Sequence, residues 1–405
     1  MGVLPQAVYP LFLFFLFVAA PLKETSATTV LWTAPAILFS ALMIAWAAES
    51  AQYFVAQGFA LAMLAWLQTL PEFAVEGVLA WHQQTPLLLA NLTGALRLLT
   101  GFGWPAIYAT AALSHRRAAG QPLRRILLDE HHSVEVIGLL AALLYIPVIA
   151  IKRSLTVYDA AVLIAIYAVY LWILQKLPSE DHETIEDLEI IPRTIVKARR
   201  RTRILAIGAL FAAGGALIYF SAEPFLASLL ALATLAGVPA FVFMQWIAPL
   251  VSEFPEMLST LYWARRADRA PMALMNMVSS NINQWTLLAA MLPIVYSISA
   301  GTATPIVFDQ EQQMELWLTL GQAAVALVFL INMELAWWEA TALAVLFAIP
   351  FFDTAAEPVI TWIYFGWAGL EIVRMLIGRH KAPALSHFIK VWNDHVSGTG
   401  EGDRA

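Results

Sequence analysis

Long apolar runs, separated by short polar or charged stretches, follow one another along almost the whole chain. Most show neither strict alternation nor a narrow helical stripe. They are apolar on nearly every face, as a helix among lipids or other apolar helices is. Several reach the ~20 apolar residues that cross a bilayer. The pattern predicts about twelve spanning helices, centred on residues 5–20, 30–49, 54–81, 86–113, 134–151, 158–174, 204–233, 238–263, 272–299, 316–333, 337–351 and 359–377. The run beginning at 204 is long enough to be tilted, or broken near Glu223-Pro224.

In two runs the apolar pattern is interrupted by the same short phrase. One copy is Gln68-Thr69-Leu70-Pro71-Glu72, the other Ser252-Glu253-Phe254-Pro255-Glu256. A carboxylate at membrane depth costs at least ~2.5 kcal/mol even on the lenient insertion scale. Pro71 and Pro255 lack an amide hydrogen, so inside a helix each would free the carbonyl four residues back, those of Leu67 and Val251. Each phrase thus offers a carboxylate, a hydroxyl (Thr69 or Ser252) and bare backbone, hard oxygen ligands suited to Na⁺ or Ca²⁺. One copy is equally explained by a proline kink whose glutamate pairs with a neighbouring helix. Two copies point to one device duplicated.

The repeat extends beyond the phrase itself. Asn91 stands nineteen residues after Glu72, and Asn276 twenty residues after Glu256. Downstream of Asn276, Ser280, Asn283 and Gln284 share its helical face. Downstream of Asn91 the face is small or polar, with one charge, Arg97. Small residues permit close helix packing in membranes, but they do not account for a buried arginine.

Composition agrees: 60% of the 405 residues are hydrophobic, 13% are charged and the mean hydropathy is +0.70, which fits an all-α polytopic membrane protein. The net charge of −6 is spread over loops and says little. With no cysteine, disulfides and thiolate metal sites are excluded. Basic residues gather around 116–125, 197–203, 265–269 and 379–381, which marks those loops and both termini as cytoplasmic. Lys152-Arg153 is the exception. The spans bearing Glu72 and Glu256 then run in opposite directions, as in inverted-topology repeats, whose substrate sites lie near the midplane. A bacterial-type plasma (inner) membrane is the expected location, with the bilayer and the transported cations as partners and no nucleic acid.

Pro-Glu within a helix, then Asn-x-x-small-small about twenty residues on, twice and in inverted halves, resembles the α-repeats of the cation/Ca²⁺ exchanger superfamily. The resemblance implies two inverted five-helix repeats, 29–176 and 204–352, joined by a cytoplasmic linker, 177–203. An extra helix lies at each end, within 1–28 and 353–405. It implies a secondary active antiporter exchanging Ca²⁺ for Na⁺ or H⁺, with no cofactor. Glu72 and Glu256 fall on the family's essential, metal-binding glutamates. Gln68, Thr69, Ser252 and Glu253 fall on the hydroxyl-bearing pair before each proline, Asn91 and Asn276 on its asparagines, and Gln284 on a later ligand position. The chain departs from the family in three places. Glu253 replaces a serine, Leu99 stands where a first-half ligand belongs, and Arg97 lies nearby. Glu76, one turn after Glu72, is the expected partner of Arg97. On this reading Arg97 and Glu76 modulate the site, and Arg97 fills one ion position. Two other readings remain: a proton-coupled exchanger of another cation, and a membrane protein that kept the fold but lost transport.

Other polar clusters carry less. Asp129-Glu130-His131-His132, with Glu135, resembles a metal-ligand group, but it opens a helix, where acids favour the dipole. Glu371 and Arg374 form a one-turn structural pair. No phosphate-binding loop and no nucleophile–base pair is present, which argues against an ATP-driven pump or an enzyme.

Overall fold

Apolar runs of this kind must satisfy their backbone internally, and the chain does so with helices. A computed structural model describes residues 8–19, 25–51, 54, 69–177, 188–378 and 381–397. The first peripheral helix is α1 (Val8–Ala19), followed by α2 (Val30–Ala51). The first core group holds α3 (Leu70–Trp81), α4 (Thr85–Leu98), a π-helical turn (Leu99–Gly103), α5 (Trp104–Ala119), strand β1 (Arg125–Leu127), α6 (Ser133–Lys152), β2 (Ser154–Leu155) and α7 (Val157–Leu174). Short α8 (Ile190–Val196) precedes α9 (Arg200–Ala236). The second core group holds α10 (Ala240–Ser252), α11 (Phe254–Ala264), α12 (Ala270–Asn283), a π-helical turn (Gln284–Leu288), α13 (Ala289–Ala300), β3 (Ile306–Val307), α14 (Gln310–Leu330), β4 (Glu334–Ala336) and α15 (Trp337–Phe352). Beyond it lie α16 (Glu357–Leu376) and α17 (Pro383–Val391). Among the described residues, six helical segments are long and apolar enough to cross a membrane, those containing α2, α6, α7, α9, α14 and α16.

From α3 and α11 onward the two groups run in the same order. The π-turns fall at matching places, since Asn91 to Leu99 and Asn276 to Gln284 are both eight residues. A π-turn inserts one residue into the ladder and disturbs one carbonyl's bonding. In the second group the carbonyl of Ile282 accepts from the hydroxyl of Thr286, 2.5 Å away on the same helix. The matching position in the first group is Gly101, which has no hydroxyl. There the carbonyl of Arg97 accepts from Nε2 of Gln322 on α14, at 2.9 Å. Gly101 is small because Phe347 of α15 lies against it: a Cβ would meet that side chain at 2.5 Å.

The groups interlock. β1 pairs antiparallel with β4 and β2 with β3, so each strand finds its partner in the other group. α3 packs on α13 as α11 packs on α5, and α4 on α14 as α12 on α6. Helices α4 and α10 cross closely. A Cβ on Gly94 would stand 2.0 Å from the carbonyl oxygen of Gln245. Long α9 lies along α2, with Gly214 against Ile44 and the hydroxyls of Thr33 and Ser228 2.9 Å apart.

One expectation changes and two open readings are resolved. Pro255 does not kink a continuous helix. α10 ends at Ser252, and the proline sits in the first turn of a new helix, α11, where it leaves no donor missing. Pro71 likewise lies in the first turn of α3. Helix α9 runs unbroken through Glu223-Pro224. The residue-129 cluster is a helix cap: the backbone amide of Asp129 donates to Nδ1 of His132, and Glu130 pairs with Lys390 of α17 at 2.6 Å. Among the described residues no group of three His, Asp or Glu side chains is placed to hold a metal ion. Glu371 and Arg374 pair at 2.6 Å, as expected.

Candidate ion-binding site

Two helix N-termini present acids, with Glu72 and Glu256 in the first turns of α3 and α11. There the helix dipole favours a negative side chain. Glu253 occupies the junction between α10 and α11. Glu76 follows one turn along α3. All four carboxylates are buried, and they act on one another electrostatically: Glu72 on Glu253, Glu76 and Glu256 on Glu72, Glu253 on Glu76 and Glu256.

Helix α12 supplies the arms that hold them. Nε2 of Gln284 donates to Glu72 Oε2 at 2.9 Å and to Glu253 Oε1 at 2.7 Å, joining carboxylates from the two groups. The hydroxyl of Ser280 donates to Glu256 Oε1. Nδ2 of Asn283 donates to the hydroxyl of Thr69 at 2.6 Å. From α4, Nδ2 of Asn91 donates to Glu76 Oε1 at 3.2 Å.

These contacts leave oxygen atoms facing inward without partners. Oε1 of Glu72, Oε2 of Glu76, Oε2 of Glu256, Oε1 of Gln284, Oδ1 of Asn91 and Oδ1 of Asn283 are all buried and make no hydrogen bond among the described residues. A buried acceptor without a partner is costly. A set of carboxylate and amide oxygens of this kind is the donor chemistry of a hard cation.

Of the residues expected in the site, the structure brings together Thr69, Glu72, Glu76, Asn91, Glu253, Glu256 and Gln284. Ser252 closes α10 with its hydroxyl on the carbonyl of Pro249. Asn276 is half-buried, and its Nδ2 bonds to nothing among the described residues. Gln68 lies outside the described residues. Arg97 departs from expectation: its Nη2 is 3.0 Å from Glu315 of α14, not against Glu76. Its guanidinium also stacks on Trp246 of α10, 4.8 Å from the ring centroid. It stands away from the carboxylates because position 97 is two residues before Leu99, the counterpart of Gln284, and so on another face of α4. Ser280 and Asn283 were visible only as members of a polar face. Glu315 and its role beside Arg97 were not anticipated.

A helical bundle that crosses the membrane and encloses a mixed oxygen cluster at helix N-termini defines an ion transporter rather than an enzyme. The family model described as sodium/calcium exchanger protein matches residues 26–176 and 207–351. Among solved structures, the H⁺/Ca²⁺ exchanger CAX is 32% identical with a TM-score of 0.87, the match covering 96% of each chain. YfkE (16% identity, TM-score 0.58, 87% of this chain and 99% of that one) and the sodium-calcium exchanger NCX_Mj (15%, 0.52, 85% and 98%) share the fold. No curated protein sequence matches. The chain belongs to the sodium/calcium exchanger protein family.

Proposed function

We infer that the chain exchanges Ca²⁺ for H⁺ across the membrane by alternating access. The observation that carries this reading is the set of six unpartnered oxygens around Glu72, Glu76, Glu253 and Glu256. Ca²⁺ takes 6–8 oxygens at flexible geometry; carboxylate and amide oxygens are the kind it takes, and its binding would draw these side chains together, since no three of the acids are grouped around one point as they stand. In the cation-free state protons take the place of the cation on the carboxylates, since an unpaired charge at membrane depth is costly. Entry of Ca²⁺ claims those oxygens and displaces protons. Re-protonation then expels Ca²⁺, which gives antiport from one site. The likeness to the H⁺/Ca²⁺ exchanger CAX supports the same pairing of ions.

On this reading the two groups are inverted repeats of a twelve-span protein, with both termini cytoplasmic. The repeated element order, the matched π-turns and the crossed strand pairs support that arrangement. The peripheral pair α2 and α9 slides over the core to open each side in turn. At 37 residues α9 exceeds a bilayer's needs, so it stays in contact with apolar surroundings as it moves. Its Glu223 meets His82 at the end of α3, at 3.5 Å.

The test is ⁴⁵Ca²⁺ uptake into proteoliposomes, acid-loaded in one set and Na⁺-loaded in the other. Uptake driven by the acid interior is expected. Uptake driven by Na⁺ alone would overturn the proton coupling, and none in either set would overturn Ca²⁺ as cargo.

A further inference from the structure

Helix α17 and the π-helical turn that extends it (Trp392–Val396) lie beyond the last apolar run. Their contacts fall at the ends of three long helices. The amide of Ala384 donates to the carbonyl of Ile331, just past the end of α14, at 3.1 Å. Lys390 Nζ reaches Glu130, ahead of α6, at 2.6 Å, and the ring of His395 is 5.6 Å from that of His131. The ring of Trp392 meets Trp172, in the last turn of α7, edge to face at 6.0 Å. α6, α7 and α14 are each long and apolar enough to cross a membrane. A helix seated on their ends lies at the level of the membrane surface.

At 3.6 residues per turn α17 has three faces. Ala384, Phe388 and Val391 form the first, and Ala384 and Val391 are buried against the bundle. Ser386, Lys390 and Asn393 form the second, all exposed. Between these two faces runs an apolar stripe, Leu385, Ile389 and Trp392, in which Leu385 and Ile389 are 53% and 52% exposed. Two exposed aliphatic side chains on a helix in water would be ordinary. This stripe, however, joins a larger apolar surface. It ends at Trp392, which meets Trp172, and Trp172 is 45% exposed on the face of α7 that also exposes Val162 and Val169. An exposed apolar face on a spanning helix faces lipid. Tryptophan is favoured where acyl chains meet headgroups, and a helix with one apolar and one polar flank suits that boundary.

We propose that α17 lies in the plane of the membrane surface, with Leu385 and Ile389 among the acyl chains and Ser386 and Asn393 toward water. The partner is the bilayer itself. Lys390 is engaged by Glu130, so the attachment is through apolar side chains rather than headgroup charge. Through the same ion pair the surface helix holds the start of α6. That helix packs against α12, which carries Ser280 and Asn283 of the central site.

The chain has no cysteine, so single substitutions give uniquely placed spin labels. Leu385→Cys, Ile389→Cys, Ser386→Cys and Asn393→Cys are labelled in the full-length protein and placed in phosphatidylcholine vesicles. Electron paramagnetic resonance then compares collisions with O₂, which concentrates in acyl chains, and with a nickel chelate, which stays in water. Labels at 385 and 389 should favour O₂, and those at 386 and 393 the chelate, each by several-fold. Chelate access at 385 and 389 equal to that at 393 overturns the proposal, because the stripe then faces water. Immobile labels at 385 and 389 that neither reagent reaches overturn it as well, because protein, such as a second copy of the chain, then covers the stripe. None of these outcomes depends on which ion the protein carries.

Discussion

Gln284 is the side chain that joins carboxylates of the two halves of the central site, and Gln284→Leu removes that link with little change in volume. The variant also makes the second π-turn begin as the first does, with leucine. Two hydrogen bonds are lost, to Glu72 and to Glu253. A hydrogen bond to a charged partner contributes about 1.5–3 kcal/mol. Both bonds come from one amide nitrogen, so their loss is not additive, and a single bond's worth is the safer figure. At 1.4 kcal/mol per decade, that is roughly a 10- to 100-fold loss of apparent Ca²⁺ affinity. Loss of Oε1 removes a sixth oxygen as well. The assay is the Ca²⁺ concentration dependence of uptake into proteoliposomes, with thermal unfolding as the control for an intact fold. A well-folded variant whose KM lies within about threefold of wild type, under 0.7 kcal/mol, would refute the claim that this amide organises the site.

Glu72→Gln and Glu256→Gln should each cut uptake by about tenfold or more, since each substitution removes a charged ligand at the centre; their melting temperatures should not fall, and normal uptake by both would place the site elsewhere. Gly94→Ala should destabilise the protein by about 1–3 kcal/mol through overpacking, toward the upper figure because the obstacle, the Gln245 carbonyl, is backbone; an unchanged melting temperature would mean that α4 and α10 do not cross this closely. The Glu130 carboxylate beside Lys390 holds that ammonium above the usual lysine range and is itself held below the usual carboxylate range, so the pair's contribution to docking α17 is complete between the ordinary glutamate and lysine pKa values, and is lost as pH rises through the raised lysine value or falls through the lowered glutamate value. Amide exchange across 383–391 should therefore be faster in Lys390→Gln than in wild type at neutral pH, and equal rates would deny the contact a role.

The doubled Pro-Glu phrase was legible because acids and prolines stand out against an apolar background, and the spacing to each asparagine carried the second helix of each pair. Local geometry was less legible. Both prolines lie in the first turn of a helix; for Pro255 that depends on where α10 stops, and the surrounding residues are apolar either way. The π-turns at Leu99 and Gln284 carry no compositional sign; they emerge only when carbonyl partners are followed to Gln322 and Thr286. The pairing of Arg97 went to the wrong acid for a plain reason. Glu76 is near in sequence, while Glu315 lies 218 residues away on another helix, and no pattern along one chain reports which distant helix packs there. Amphipathic α17, beyond the last apolar run, was read only as a cytoplasmic tail.

The crossed strand pairs bear on how the molecule comes into being. Arg125 pairs with Ala336 and Ser154 with Val307, so nothing in the first half can close on itself. While the ribosome is still translating the linker, Glu72 has been made but Gln284 has not, and β1 and β2 are edges waiting for residues yet to be added. Insertion must therefore outrun completion. The early helices enter the bilayer as a loose set with an acid among them, and the carboxylates are gathered into one site only when the last third of the chain arrives.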